Sequence, residues 1–157
     1  MKKLLLITIV ALACAMGAKA EVKDFSIGAQ FSWASKHSLA GLGAQLQYEP
    51  IRNLRLAPEF NYYFKNDGIS ACNANLNVQY VIPTSTSFAI YPLAGFAYSH
   101  YKYDGILSVS DDVCGANVGL GSEYRINNNI HFYVEERFQI IEDHNQSVTF
   151  FGMKYTF

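Results

Sequence analysis

The chain has 157 residues, 50% of them hydrophobic and 15% aromatic, with a formal net charge of −1. This length suits a single domain, and the lack of a basic block or patterned Lys/Arg stripe argues against nucleic acid as a partner. No apolar run reaches the length of a membrane helix, so this chain can cross a membrane only as a closed barrel, in which every backbone group is paired without water.

At the start, Lys2 and Lys3 precede the apolar run Leu4 to Ala13, and Ala18-Lys19-Ala20 follows. This pattern predicts a signal peptide over 1–20, cleaved after Ala20, and a single barrel domain over 21–157. A lipid anchor on Cys14 is the weaker alternative, given the Ala-x-Ala site downstream.

From Phe25 onward, apolar residues recur at a period of two, which predicts extended strands with one apolar face. The segments run Phe25 to Trp33, Leu42 to Tyr48, Leu54 to Phe64, Ala74 to Ile82, Phe88 to Tyr98, Ala116 to Tyr124, Ile130 to Ile140, and Val148 to Phe157. The alternate positions are small or polar, among them Gln30, Gln45, Glu59, Asn75, Asn77, Gly119, Gly121, Glu123, Tyr133, Glu135, Arg137 and Gln139. Connections at Glu49 to Asn53, Pro83 to Ser87 and Asn127 to Asn129 are tight. Those around Ser35 to Ser38, Lys65 to Ser70, Lys102 to Asp112 and Glu142 to Gln146 are longer on average and more charged. The pattern predicts an all-β fold, an eight-stranded antiparallel up-and-down transmembrane β-barrel with short periplasmic turns and longer external loops.

A soluble carrier barrel would place the apolar face inside. The distribution of charge and volume favours the reverse. The polar face holds Arg55, Arg125 and Arg137 against Glu59, Glu123 and Glu135, and glycines at 28, 41, 43, 95, 115, 119, 121 and 152 make room for them in a narrow lumen. On the apolar face, Tyr48, Tyr80, Phe88, Tyr124, Phe132, Tyr155 and Phe157 lie near the short turns, and Trp33, Tyr62, Phe64, Phe96 and Tyr98 near the loops. Two aromatic girdles around an aliphatic band match a bilayer.

Over residues 21 to 157 the chain resembles the small outer-membrane barrels of the OmpA, OmpX and opacity-protein type. Its closing Gly152-Met153-Lys154-Tyr155-Thr156-Phe157 is similar to the C-terminal signal that such proteins present to the barrel-assembly machinery, with Gly152, Tyr155 and Phe157 as the signal residues. The resemblance implies residence in the bacterial outer membrane, contact with its lipid, and roles in envelope integrity, adhesion and the binding of host or envelope surface ligands.

The six lumenal charges are expected to pair with one another and plug the barrel, since an unpaired buried charge is severely unfavourable. Across the Asn127 to Asn129 turn, Arg125 should face His131 and Glu123 should face Tyr133, leaving Glu135 and Arg137 at mid-barrel. His37, His100, His131 and His144 are scattered, which argues against a metal site. No cofactor motif is found. His37-Ser38, and His144 with Ser147, lack the His-x-Ser-Asn pattern of the lipid A deacylases, so no catalytic site is assigned. A small pore and a lipid A-modifying enzyme are the alternative functions.

Cys72 and Cys114 begin two strands with one strand between them. Their backbones are then about 10 Å apart, within disulfide reach only if the rim bends. Glu136 is the one charge on the apolar face; a local bulge is its expected accommodation, with protonation or contact with a partner protein as the alternatives. In the third external loop, Tyr101, Tyr103, Asp104, Asp111 and Asp112 are the candidate contact residues.

Overall fold

Alternation of period two becomes strand wherever it was expected. The structure, a computed structural model, describes residues 24–36, 38–66, 68–103, 109–141 and 145–157. The expected signal peptide, Cys14, Asp104, His37, His144 and the side chain of Tyr103 lie outside the described residues.

The strands are β1 (Asp24–Ala34), β2 (Leu39–Ile51), β3 (Leu54–Asn66), β4 (Ile69–Tyr80), β5 (Ile82–Pro83), β6 (Phe88–Tyr103), β7 (Val109–Arg125), β8 (Ile130–Ile141) and β9 (Gln146–Thr156). They form one sheet in the order β4-β3-β2-β1-β9-β8-β7-β6-β5, which also pairs β4 with β6 and so closes on itself. β4 and β5 are one stave: both pair with β6 in the same register, Gln79 opposite Leu93 and Ile82 opposite Ile90. The break falls at Val81, whose N–H still donates to the Asn53 carbonyl at 2.7 Å and so continues the register of Leu54 opposite Tyr80. The result is a closed eight-stranded, antiparallel, up-and-down barrel.

Exposure decides which way the faces point. Leu46 and Val78 are each 41% exposed and Phe96 54%, whereas Glu59 is 6% and Arg137 0% exposed. Apolar side chains therefore cover the outside and polar ones fill the axis, the inverse of a soluble barrel. Aromatic residues meet across strands near the turns, with Phe88 opposite Tyr124 and Tyr124 opposite Phe132. Trp33, Tyr62 and Phe64 stand on the outer surface toward the loops.

The tight turns have local causes. Asn53 adopts φ 70°, a left-handed conformation that asparagine tolerates, and its N–H donates to Glu49 Oε1 at 2.7 Å. Asn127 Oδ1 accepts from the N–H groups of Asn129 and Ile130 at 3.0 and 2.8 Å, which bends the β7–β8 hairpin. The registers expected across that hairpin are observed, Arg125 opposite His131 and Glu123 opposite Tyr133, and they continue to Gly119 opposite Arg137.

Two expectations fail. The third external connection is shorter than Lys102 to Asp112, because β6 continues to Tyr103 and β7 begins at Val109. The charges in this hairpin pair across it, as His100 Nδ1 and Tyr98 Oη both meet Asp112 Oδ1, at 2.6 and 2.8 Å. Polar residues that satisfy one another across strands extend the ladder. Nor is there a bulge at Glu136. β8 pairs in unbroken register with both neighbours, Leu120 and Thr149 lying opposite Glu136. The outward carboxylate is held instead by Ser147 Oγ and by Thr149 Oγ1, the latter at 2.5 Å. Those two hydroxyls on β9 supply the hydrogen bonds that hydrocarbon withholds.

Candidate functional site in the barrel lumen

The inward positions of the staves stack into layers along the axis. Nearest the turns, Arg55 forms a fork with Glu123, Nη1 to Oε2 at 2.7 Å and Nη2 to Oε1 at 3.0 Å. Lys154 Nζ donates to the same Glu123 Oε2 at 2.5 Å and to Gln47 Oε1 at 2.8 Å. Glu49 flanks Arg55 at 3.5 Å. A carboxylate that accepts a bidentate guanidinium and an ammonium has few lone pairs left to satisfy.

At mid-barrel, Arg137 lies between two carboxylates. It donates to Glu135 and, through both Nη atoms, to Glu59, with Nη2 to Oε2 at 2.7 Å. Its guanidinium also stacks over the Phe150 ring at 4.2 Å, a cation–π contact strengthened by exclusion of water. The carboxylates are satisfied by neutral donors around them. Tyr91 Oη donates to Glu135 at 3.0 Å, while Asn75 and Asn61 donate to Glu59 at 2.5 and 3.2 Å. Tyr133 Oη extends the network to Gln30 at 2.8 Å, and Gln30 passes it to Asn61 at 2.7 Å.

Toward the loops the lumen becomes neutral. Asn117 bridges Asn75 and Asn77 at 3.1 and 3.0 Å, Gln139 donates to Asn117 at 3.1 Å, and Gln146 donates to Gln139 at 2.8 Å. Beside this amide layer, Leu39, Tyr63, Tyr101, Val148 and Phe150 form a buried apolar cluster that reaches down to Arg137 through Phe150.

Two glycines make these layers fit. A Cβ on Gly121 would collide with the Tyr91 ring, and one on Gly152 with the Tyr133 ring. Each aromatic thus lies flat over bare backbone, which puts its hydroxyl on the network below.

Several sequence-predicted site residues are placed differently from expectation. Arg125 is exposed at the turn-side rim, outside the charge network, because β7 ends there. Lys154 and Glu49 take part instead. Lys154 was embedded in the closing aromatic motif, yet its parity with Gly152 and Phe150 puts it on the inward face. Tyr101 is 2% exposed: odd-numbered residues of β6 point into the lumen, so it is part of the apolar lid and not a loop contact. Asp111 lies opposite Tyr101 and Asp112 opposite His100, both within β7. Cys72 and Cys114 are free thiols. Cys72 faces His100 and Cys114 faces Tyr98 on the intervening β6, so an entire strand separates them and the rim does not bend to join them. Tyr155 and Phe157 are exposed at the turn end, their rings 5.2 Å apart. Among the described residues, no group of His, Cys, Asp and Glu is arranged to hold a metal ion.

A polar, ion-paired axis inside an apolar cylinder with aromatic rims defines a small transmembrane β-barrel. The chain belongs to the outer membrane protein beta-barrel domain family, whose model matches residues 5–157. Among solved structures, it is similar to the N-terminal β-barrel domain of Pseudomonas aeruginosa OprF, with a TM-score of 0.75, 18% identity, and 85% of this chain and 97% of that one covered. Neisserial surface protein A follows with a TM-score of 0.69, 15% identity, and 86% and 97% coverage. Ail, the attachment invasion locus protein of Yersinia pestis, has a TM-score of 0.63 in its complex with the heparin analogue sucrose octasulfate, at 17% identity and 86% and 97% coverage. At these identities the likeness is one of fold. No curated protein matches the chain.

Proposed function

We propose that the protein is a non-enzymatic outer-membrane barrel with a closed lumen, which supports the envelope and meets surface partners through its external loops. One observation carries the closed lumen: Arg137, Glu59 and Glu135 are buried together at mid-barrel, beneath the lid that includes Tyr63, Tyr101 and Phe150. An ion on the axis would have to part Arg137 from both carboxylates, and breaking a buried pair is strongly unfavourable. Purified protein in planar bilayers is expected to give no steady conductance. Discrete openings of reproducible size would overturn this reading in favour of a small pore.

The non-enzymatic reading is supported by the separation of His100, near the loops, from His131, near the turns, and by the engagement of the Ser147 hydroxyl with Glu136. Tyr155 and Phe157, outward at the turn end, suit contact with the barrel-assembly machinery, with Gly152 completing that signal.

The external segments carry Asp67, Asp104, Asp111, Asp112, Glu142 and Asp143 against Lys36, Lys65 and Lys102. An acidic rim favours a basic partner, whereas Ail was solved with a sulfated ligand. Barrels in nanodiscs are expected to be retained on an immobilised basic peptide and not on heparin. Asp104→Asn and Asp111→Asn together should weaken that retention several-fold, with the effect shrinking as salt rises. Retention on heparin alone would reverse the assignment of the partner.

A further inference from the structure

Glu136 stands midway along β8, exposed on the face that meets hydrocarbon. We propose that the outer surface of β8 and β9 around Glu136 docks a second membrane-spanning protein, one that presents an arginine or lysine at the same bilayer depth.

The lumenal carboxylates each have a cation against them: Glu123 meets Arg55 and Lys154, while Glu59 and Glu135 meet Arg137. Glu136 has none among the described residues. Its partners are the hydroxyls of Ser147 and Thr149. These neutral donors fill two of about four lone-pair directions on a carboxylate and leave its charge uncancelled. The unbroken register on both sides of β8 gives the strand no bulge that would turn the group away from lipid. An ionised side chain at this depth is unfavourable, and an ionisable group inside a membrane marks a site with a partner.

The surroundings have the form of a contact spot. Leu120 lies opposite Glu136 on β7, Phe138 is two residues along on the same face, and Phe151 follows Thr149 on β9. All three are exposed. An apolar ring around one polar centre lets a single charged contact decide which partner binds. Within hydrocarbon, apolar surface gains little by leaving lipid, so polar contacts weigh more in holding spans together.

A second copy of this chain does not supply the cation. Among the described residues, its basic groups are either buried in the lumen or placed toward the two ends of the barrel, as Lys102 is by the loops and Arg125 by the turns. The complementary ammonium or guanidinium therefore belongs to a different protein. This contact is lateral and within the bilayer, so it stands independently of the external loops and of whether the lumen conducts.

The test uses the full barrel in vesicles of zwitterionic lipid. The probes are synthetic leucine-rich transmembrane helices without tryptophan, labelled with an energy acceptor for indole and differing only in a central Arg, Gln or Leu. Trp33, the one tryptophan of the chain, is the energy donor and lies opposite Thr149 at the edge of the site. Saturable quenching by the Arg helix is expected at about tenfold lower helix density than by the Leu helix, the ratio for one polar contact in a bilayer. Glu136→Gln, an outward change of similar volume that keeps the fold, should bring that ratio to about one. Ser147→Ala with Thr149→Val, which keeps the charge and removes its neutral donors, should preserve or widen it. Equal quenching by the Arg and Leu helices, a Gln helix as effective as the Arg helix, or an unchanged ratio in Glu136→Gln overturns the proposal. Energy transfer between differently labelled copies of the barrel that is lost in Glu136→Gln would assign the surface to a second copy and overturn it as well.

Discussion

Replacing Arg137 with alanine is expected to destabilise the barrel by about 3–5 kcal/mol, the range for removing one partner of a buried ion pair. The guanidinium is enclosed with Glu59 and Glu135 at mid-barrel. Its loss leaves two carboxylates facing each other where water is excluded, and empties the space above the Phe150 ring. Arg137→Lys retains the charge but not the fork and should recover part of the loss. Adding Glu59→Gln and Glu135→Gln to Arg137→Met should recover more, since neutral amides leave no charge uncompensated. Urea unfolding in micelles, followed by circular dichroism or by the mobility difference between folded and unfolded barrel, gives these values. A midpoint for Arg137→Ala equal to that of the parent would mean that the carboxylates reach water and that the lumen is open.

Gly152→Ala is expected to destabilise by about 1–3 kcal/mol, as overpacking in a filled interior does. The added Cβ would meet the Tyr133 ring, and that ring is tethered by its hydroxyl to Gln30 at 2.8 Å, so it cannot simply turn aside. Tyr133→Leu should relieve the clash, and Gly152→Ala should then add little in that background, a coupling visible in a double-mutant cycle. The same cycle separates two roles for Gly152. If the glycine serves packing, the defect and its relief appear when purified protein refolds into micelles. If it serves only recognition by the assembly machinery, refolding in vitro is unimpaired and the shortfall appears only in cells. Relief by Tyr133→Leu in vitro would assign the glycine to packing.

Parity was the most legible signal in the sequence. A strand of period two assigns every side chain to one of two faces, so the inward placement of Glu59, Glu123, Glu135 and Arg137 follows from counting alone. The hairpin register across Asn127 to Asn129 was equally accessible, because a tight turn fixes which residues meet. Strand ends were harder to read. Charge usually marks a loop, and Asp111 and Asp112 look like loop residues until His100 and Tyr98 are seen to satisfy Asp112 across the hairpin. Arg125 illustrates the complementary error, since it has the parity of a lumenal residue but stands where the stave ends. Lys154 and Tyr91 are hard to read for a different reason. A lysine in an aromatic motif and a tyrosine between Ile90 and Pro92 do not look polar in company, although their parity was available. The clasp on Glu136 by Ser147 and Thr149 needed three-dimensional pairing, because the β8–β9 register depends on a connection whose geometry the sequence does not specify.

The pairing of β1 with β9, from Ser26 opposite Thr156 to Ala34 opposite Val148, has a kinetic consequence. Every other neighbouring pair of staves is contiguous in the chain and can zip up as a local hairpin, whereas this seam joins residues more than a hundred positions apart. Loop-closure entropy opposes it until both raw edges exist. Circularisation is then the late step of folding, and the two unsatisfied edges of the intermediate are what the cell must shield while the last segment arrives.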